Sequence, residues 1–268
     1  RDHGRTVGSD PNGLGNVLNR PKYFYDAVPP AADLGRAAPT GLTVYRHRKF
    51  PAAYRGAVFS ACWMFGRVDF LPLKQAGSTF TATKQTFLEV TGDAGFAPVD
   101  LAVGPEGDLF VACGGRGTRG AVWRVRYVGD ESGPPIDPDS KLRAVLQADQ
   151  PLAAWSRARW IPEAKALGKE AFVAAIADAA LPVEEQVRAV EILVELFDPI
   201  TLDEARTAVA LKRPELSARI AWLVERQRAE SGLLKAKWPD VLAELTFDDD
   251  PRVQLSAWES LWHVPATM

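Results

Sequence analysis

The glycine-rich segment 115–120, with the sequence GRGTRG, has the spacing that comes nearest to a cofactor-binding signature. A G-x-G-x-x-G segment binds a dinucleotide pyrophosphate where it follows a strand and opens a helix. Residues 121–129 are instead rich in β-branched and aromatic residues and predict another strand. The segment is therefore predicted to be a hairpin turn, and a nicotinamide cofactor is not supported. The alternative is an anion-binding nest of backbone N–H groups with the side chains of Arg116 and Arg119.

The remaining polar clusters predict structural roles, so no catalytic and no metal-binding residue is predicted. Asp250 stands before Pro251, which is typical of a helix N-cap followed by the first helical residue. His3, His47 and His263 have no spacing that puts two on one face, whereas zinc requires three or four convergent ligands. His47, between two arginines, predicts a solvated strand end, with a general base as the alternative. Nothing in the sequence resembles a nucleophile elbow.

Two similar strand-like segments, VFSAC at 58–62 and LFVAC at 109–113, place Cys62 and Cys113 at matching positions. A period near 50 with strands indicates propeller blades, and a closed ring needs about four to eight of them. The repeat therefore predicts about two blades cut from a longer propeller. Because matching strands of adjacent blades diverge, both cysteines are predicted to be small buried residues, with a disulfide between them as the alternative.

The region after residue 140 predicts a stack of α-helices. Apolar residues recur there at helical spacing, as in Val187, Val190, Leu193 and Val194 and in Leu255, Trp258, Leu261 and Trp262. Small residues that would let paired helices approach closely recur at Ala189, Ala218 and Ala257. Six of the eight tryptophans lie in this region, and their spacing predicts core packing rather than ligand stacking. Trp155 and Trp160 are predicted to dock the first helices on the sheets.

The predicted fold class is a β + α multidomain chain, with a partial β-propeller of about two blades followed by an α-helical HEAT-like solenoid. The boundaries are a loop-rich propeller segment at 1–38, two blades at 39–128, a linker at 129–140 and HEAT-like helical repeats at 141–268. The linker contains three prolines and four acidic residues, which leave it no apolar face to bury.

The composition argues against two classes of partner. The chain has 32 Lys and Arg residues and 34 Asp and Glu residues, and its formal charge of −2 gives no basic footprint for nucleic acid. No apolar stretch approaches the roughly 18 residues that a membrane-spanning helix requires. The sequence therefore predicts neither nucleic-acid binding nor a membrane span in this segment.

Residues 39–68 (PTGLTVYRHRKFPAAYRGAVFSACWMFGRV) and 96–112 (FAPVDLAVGPEGDLFVA) resemble the last two blades of the glucose/sorbosone dehydrogenase-like propellers. The similar form is the large bacterial protein labelled a putative membrane-bound dehydrogenase. Its six-bladed propeller is followed by HEAT repeats and often by a c-type cytochrome domain with a CxxCH haem site. The segments QPLAAWSRARW and RIAWLVER resemble its helical region, so the similarity covers roughly residues 36–262.

The resemblance implies an exported, periplasmic or otherwise extracytoplasmic protein that oxidises a sugar or alcohol with pyrroloquinoline quinone (PQQ) and passes electrons to haem c. The family's cofactor-holding lysine aligns with Met64, and its two arginines align with Ala97 and Val99. None of these can hold a cofactor carboxylate. The family's catalytic His would lie in earlier blades, and no CxxCH occurs here. The chain is thus predicted to hold no cofactor itself, with PQQ and haem c expected elsewhere in the parent.

The functional prediction is that this segment is structural or binding rather than catalytic, within a sugar or alcohol dehydrogenase-like propeller–HEAT protein. The alternative is a non-catalytic scaffold that binds carbohydrate or another protein. The residues predicted to contact a ligand are Arg67, Arg116 and Arg119. The remaining predicted partner is the rest of the parent propeller.

Overall fold

The computed structural model describes residues 30–35, 37–92, 95–115, 120–130, 133, 140–231 and 238–262. Within these residues, nine strands form three antiparallel sheets, and eight α-helices follow them in the chain. Every described strand precedes residue 126 and every described α-helix follows residue 140. The predicted order of sheets and then helices is therefore confirmed. Most of the predicted loop 1–38 and linker 129–140 lies outside the described residues.

The nine strands form one large sheet, one smaller sheet and one hairpin. They are β1 (Pro39–Val44), β2 (Val58–Cys62), β3 (Arg67–Leu71), β4 (Leu73–Ala76), β5 (Thr79–Ala82), β6 (Gln85–Glu89), β7 (Pro98–Val103), β8 (Leu109–Cys113) and β9 (Ala121–Val125). The first sheet has the order β1-β2-β3-β6 and the second the order β7-β8-β9. The hairpin β4-β5 lies between β3 and β6 in the chain but is not part of their sheet. It was not predicted, because its strands are only half-buried at best and show no apolar face.

The first two strands of each sheet pair in the same register. Cys62 pairs with Pro39 in the first sheet, and Cys113 pairs with Pro98 in the second. The register is irregular after both prolines, between Pro39 and Leu42 in the first sheet and between Pro98 and Asp100 in the second. The two similar segments that end in Cys62 and Cys113 therefore also pair with their neighbouring strands in the same way.

The two sheets stack head-to-tail on one shared apolar core. Phe59 and Ala61 of β2 face this core, whereas β8 contributes Leu109 and Val111, the residues that alternate with Phe110. Because side chains alternate along a strand, matching faces of the two sheets point in the same direction rather than toward each other. The second face of the second sheet is partly exposed, with Val122 at 70%, whereas Ser60, Cys62 and Asp69 on the second face of the first sheet are fully buried.

The helices form one layered body with its own core. They are α1 (Lys141–Leu146), α2 (Ala154–Leu167), α3 (Lys169–Ala177), α4 (Val183–Leu196), α5 (Leu202–Val209), α6 (Pro214–Ser231), α7 (Trp238–Leu245) and α8 (Pro251–Trp262). A continuous cluster of buried apolar side chains links them. The predicted cap of α8 is confirmed, because the carboxylate of Asp250 accepts a hydrogen bond of 2.8 Å from the backbone N–H of Arg252.

Small residues set the spacing between α6 and α8. Ser256 Oγ donates to the carbonyl of Ala218 at 2.7 Å, and Ser260 Oγ donates to the carbonyl of Ala221 at 2.8 Å. Such side-chain to backbone bonds require close approach, which the methyl groups of the two alanines permit. This is the role that the sequence predicted for Ala218.

The same contacts explain a wrong prediction about two tryptophans. Trp258 and Trp262 are 60% and 87% exposed instead of lying in the core. Ser256 and Ser260 fix the side of α8 that faces α6, and Trp258, two residues from each of them, lies on the opposite side. This helix therefore has two apolar sides, and only one of them is covered in the described structure.

The sheets and helices meet in a tight junction. Trp155 Nε1 donates to the carbonyl of Val103 at 3.0 Å, and Arg48 Nη2 lies 2.7 Å from Asp149 Oδ2. The docking role predicted for Trp155 is thus confirmed. Trp160 instead donates within the helical region, to the carbonyl of Pro151 at 2.9 Å, and is buried there.

Candidate ligand-binding site

Two hairpin turns lie side by side at one end of the stacked sheets. The β2–β3 turn contains Trp63, and the β8–β9 turn begins at Gly114 and Gly115. A methyl group on Gly115 would lie 3.6 Å from Nε1 of Trp63, so the two turns are close neighbours. The φ of Gly115 is +90°, a conformation that favours glycine. Arg67, one of the residues predicted to contact a ligand, directly follows the β2–β3 turn at this end of the sheets.

Gly66 holds the β2–β3 turn against the chain that leads into the second sheet. Its φ is +57°, and a side-chain carbon there would lie 2.7 Å from the carbonyl oxygen of Phe96. Its own carbonyl accepts a hydrogen bond of 3.0 Å from the N–H of Val90. The turn is therefore fixed in place by a contact that only glycine fits.

Arg67 is the predicted ligand-contacting residue that the structure describes. Its Nε lies 2.9 Å from Oδ1 of Asp69, and its Cζ lies 4.9 Å from the ring centre of Phe65. The Arg67 side chain is 20% exposed while that of Asp69 is fully buried. The Arg67 side chain thus contacts a buried carboxylate and an aromatic ring, and part of it is exposed.

Asp69 is a functional candidate that the sequence analysis missed. It pairs directly with Ser60 across β2 and β3, and both side chains are fully buried. Among the described residues, neither Ser60 Oγ nor either Asp69 oxygen has a hydrogen-bond partner. Arg67 Nε and Asp69 Oδ1 form a close ion pair, but their geometry is not that of a hydrogen bond. The matching pair in the second sheet, Val111 and Trp123, is apolar.

This polar pair must have a compensating interaction, because a buried carboxylate without hydrogen bonds is costly. Within the described residues, the ion pair with Arg67 is the interaction that compensates Asp69. The signal that could have revealed it is the alternation of Arg67 and Asp69 on one face of β3, opposite a serine.

The glycine-rich segment 115–120 joins β8 to β9, as predicted. Because a strand follows it, the segment opens no helix whose N-terminus could bind a pyrophosphate. Residues 116–119 lie outside the described residues, so the ligand contacts of Arg116 and Arg119 stay predictions.

The three positions where the family resemblance expects charged cofactor contacts are neutral and dispersed. Met64 is exposed in the β2–β3 turn, Ala97 is buried before β7, and Val99 is exposed on β7. Side chains of this chemistry donate no hydrogen bonds to a carboxylate. The described residues at these positions therefore do not fit a carboxylated quinone.

The prediction that His47 ends a strand in solvent is wrong. Its side chain is only 14% exposed, and its Nε2 lies 3.8 Å from Asp149 Oδ2 at the sheet–helix junction. The backbone N–H of Lys49 donates to Nδ1 at 3.0 Å. Burial lowers the pKa of His47, with the charge of Asp149 acting in the opposite direction. The helices cover this residue, so His47 is a neutral structural contact of the junction.

The two cysteines are free thiols at matching positions of the two sheets. Cys62 is buried and Cys113 half-buried. Burial raises the pKa of the Cys113 thiol, although hydrogen bonds from Ala97 and Trp123 act against this. A thiol with a raised pKa is a poor nucleophile at neutral pH.

A groove of about 670 Å³ lies between the turn that precedes α6 and the turn that precedes α8. Its wall includes Lys212, Phe247 and the acidic residues 248–250. These acids serve the turn itself, since Asp248 Oδ1 accepts from the N–H of Asp250 at 2.8 Å and Asp250 caps α8. The acidic residues in the wall of the groove are therefore explained by the turn and the helix cap, and they do not indicate a binding site.

Two further findings concern metals and membranes. In the described ranges, no group of three or more His, Cys, Asp and Glu side chains is placed to hold a metal ion. No helix in the same ranges is both long and apolar enough to cross a bilayer.

Comparison of the chain with protein-family models, with curated proteins and with solved structures found no match.

Proposed function

We propose that this chain is a segment of an exported sugar or alcohol dehydrogenase-like protein, in which two propeller blades pass into a HEAT-like helical stack. In this proposal the segment is a scaffold and ligand-binding part, while any PQQ, haem c and catalytic histidine belong to other parts of the parent protein. The reaction chemistry would thus be supplied outside this segment.

The observation that supports the propeller is the head-to-tail stacking of the two sheets. A head-to-tail contact uses a different face on each partner, so it repeats until a ring closes or a filament grows. The second sheet keeps one partly exposed face, and about four to eight sheets are needed for a closed propeller. On the free face of the second sheet, Val122 is 70% exposed next to half-buried Phe110 and Ala112. These side chains would contact the next blade.

The row of helices supports the HEAT-like stack. The core of α6 packs against both α4 and α8, and the uncovered apolar side of α8 points away from α6. Repeat proteins bury a continuous core by adding helix pairs in one direction. The exposed stripe of Leu255, Trp258 and Trp262 is where a further pair would pack.

The ligand that the hairpin end supports best is a carbohydrate that carries a carboxylate. An arginine that is held in place by a buried acid can present two parallel N–H donors to a carboxylate. The neighbouring ring of Phe65, also part-exposed, offers an apolar face to a sugar ring. Arg116 and Arg119, in the adjacent loop, would add positive charge to the same end of the sheets.

The dehydrogenase assignment is tested on a longer protein that contains this chain. Quinone or haem absorption, together with dye reduction driven by sugars or alcohols, would support it. A preparation with neither absorption nor sugar-dependent dye reduction would overturn it. Cell fractionation tests the extracytoplasmic location, and recovery in the cytoplasmic fraction would contradict it.

The second candidate is a non-catalytic scaffold that binds carbohydrate or protein. The neutral residues Met64, Ala97 and Val99 favour it, because they leave these blades without the family's charged cofactor contacts. A binding screen of the full-length protein against neutral and acidic glycans separates the two. Glycan binding without any redox activity would favour the scaffold.

A further inference from the structure

The second sheet ends one strand earlier than the first. In the first sheet β6 pairs with the outer edge of β3, whereas β9, which takes the place of β3 in the second sheet, is the last strand. The register shows that the two strands are equivalent, since Cys62 pairs with Arg67 and Cys113 with Ala121. In the residues that the structure describes, no strand pairs with the outer edge of β9. Such an edge presents a row of unpaired backbone N–H and C=O groups.

The open edge of β9 carries exposed apolar side chains on both faces. Val122 is 70% and Trp123 54% exposed, and they lie on opposite faces because side chains alternate along a strand. The strand contains no proline, and its pairing with β8 is regular. By contrast, β6 begins with Gln85 and Thr86, ends in Glu89 and pairs with a register shift. Polar side chains and bulges protect an edge from further pairing, so β6 has the features of a terminal strand and β9 lacks most of them.

The same edge has an excess of positive charge. Arg124 pairs with Oδ2 of Asp108, and Nε of Arg126 lies 3.6 Å from that oxygen. The side chains of the two arginines are 45% and 55% exposed, whereas that of Asp108 is buried. Within the described part of the chain, neither arginine pairs with another acidic side chain, so two cations share one anion. An acidic residue on an added strand would complement this charge.

The first sheet supplies the register that an added strand would take. Leu88 and Gln85 of β6 lie opposite the two positions of β3 that correspond to Val122 and Arg124 of β9. A strand added to β9 in this register would therefore place an apolar residue opposite Val122. An acidic residue at the position of Gln85 would lie opposite Arg124. Apolar and opposite-charge pairs across neighbouring strands both stabilise a sheet.

We propose that the outer edge of β9 binds an extended acidic peptide segment of a partner protein by β-strand addition. In this mode of recognition, backbone hydrogen bonds supply affinity and the side chains of the edge supply selectivity. Val122 selects an apolar residue, and Arg124 selects an acidic one. The site uses the edge of the second sheet rather than its free face, and it does not depend on the proposed dehydrogenase.

The direct test is an NMR titration of the full 268-residue chain with two synthetic peptides. Both have the sequence of residues 83–91, TKQTFLEVT, with Gln85→Glu in the probe and Gln85→Lys in the matched control. The probe is expected to give saturable shifts of the backbone N–H signals of residues 121–125 and to slow their hydrogen exchange, because an added strand accepts their hydrogen bonds. It is expected to bind about threefold to tenfold more tightly than the control at low salt, since the control places a like charge opposite Arg124.

A variant of the chain then tests the charge of the edge. Arg124→Gln removes the cation opposite the substituted position and leaves Asp108 paired with Arg126. The affinities of the two peptides for this variant are expected to agree within about twofold, because the charge that distinguishes them is gone. The matched control is Arg206→Gln, an exposed arginine on α5, which is expected to retain the preference of the wild type.

Four outcomes would contradict the proposal. Absence of saturable shifts at residues 121–125 would overturn the site, and shifts confined to residues 85–89 would place the added strand on the first sheet instead. Equal affinities of the wild type for the two peptides would exclude selection of an acidic partner. A concentration-dependent dimer with protected β9 amides, seen without peptide, would assign the edge to a second copy of the chain. If Arg124→Gln does not fold, the comparison of the two peptides on the wild type decides the proposal.

Discussion

Arg67 Nε lies 2.9 Å from Asp69 Oδ1, and the two residues differ sharply in burial, since Asp69 is inaccessible and Arg67 reaches the surface. The arrangement makes Asp69 a positioning residue for Arg67 in the proposed carbohydrate site. It also makes Asp69 dependent on Arg67, because a buried charge without its partner is strongly unfavourable.

The first prediction concerns this dependence. Arg67→Ala should lower the free energy of unfolding by about 2–4 kcal/mol, because it leaves the Asp69 carboxylate buried and unpaired. Arg67→Ala with Asp69→Asn should recover more than half of that loss, since the buried charge is then gone. Urea unfolding of the two single variants and the double variant gives the coupling energy. Additive losses would show that the two side chains do not interact.

The second prediction concerns ligand binding at the hairpin end. Arg67→Ala, Arg116→Ala and Arg119→Ala should each weaken binding of a sugar acid while leaving binding of the matching neutral sugar much less changed, because each removes a donor to the carboxylate. Calorimetric titration with glucuronate and glucose measures both. The exposed Arg206→Ala, on α5 and away from the sheets, is the control. Unchanged glucuronate affinity in all three variants would end the assignment of this end as an acid-binding site.

The third prediction concerns the cap of α8. Asp250→Ala should lower the free energy of unfolding by about 1 kcal/mol, whereas Asp250→Asn should cost less because asparagine also caps helices well. The hydrogen bond from Arg252 is the main cause that lowers the pKa of Asp250 below its ordinary 3.8. A carboxylate with a lowered pKa stabilises the fold above its ordinary pKa, and this contribution is lost as the pH falls through the folded-state pKa.

The difference in stability between the wild type and Asp250→Asn should therefore be present at neutral pH and disappear in strong acid. Denaturant unfolding at several pH values below 5 measures it. A difference that is constant over this range would show that the charge of Asp250 contributes nothing.

The fourth prediction concerns His47. Burial lowers its pKa below 6.5, so the unfolded chain binds a proton at a higher pH than the folded protein does. Stability from His47 should thus be complete above about pH 6.5 and decline as the pH falls toward the folded-state pKa. His47→Gln should flatten the pH dependence of the unfolding free energy in this window. An unchanged slope in the variant would contradict a buried, neutral His47.

The fifth prediction separates covered from uncovered tryptophans. Trp160→Ala should cost about 3–5 kcal/mol because it empties a buried position, whereas Trp262→Ala should change stability by no more than about 0.5 kcal/mol. Thermal and urea unfolding compare the two. A large loss for Trp262→Ala would mean that this side of α8 is covered in the protein in solution.

Local patterns in the sequence determined the order of sheets and then helices, the strand that follows the glycine-rich turn and the cap formed by Asp250. Each depends on residues within a few positions of one another, where alternation, helical spacing and capping chemistry act directly. The unpredicted hairpin β4-β5 and the exposed Trp258 and Trp262 show where such patterns fail. Periodicity identifies an apolar side but not what covers it.

Tertiary structure alone decided which faces meet. The head-to-tail stacking of the sheets, the burial of His47 under α2 and the stacking of Arg188 on Trp160 join residues that are far apart in the chain. Asp69 became a candidate only when β2 placed a buried serine opposite it and the burial of its carboxylate was known. The physical reason is that charge, burial and hydrogen bonding depend on neighbours in space, and one sequence read along its length does not contain those neighbours.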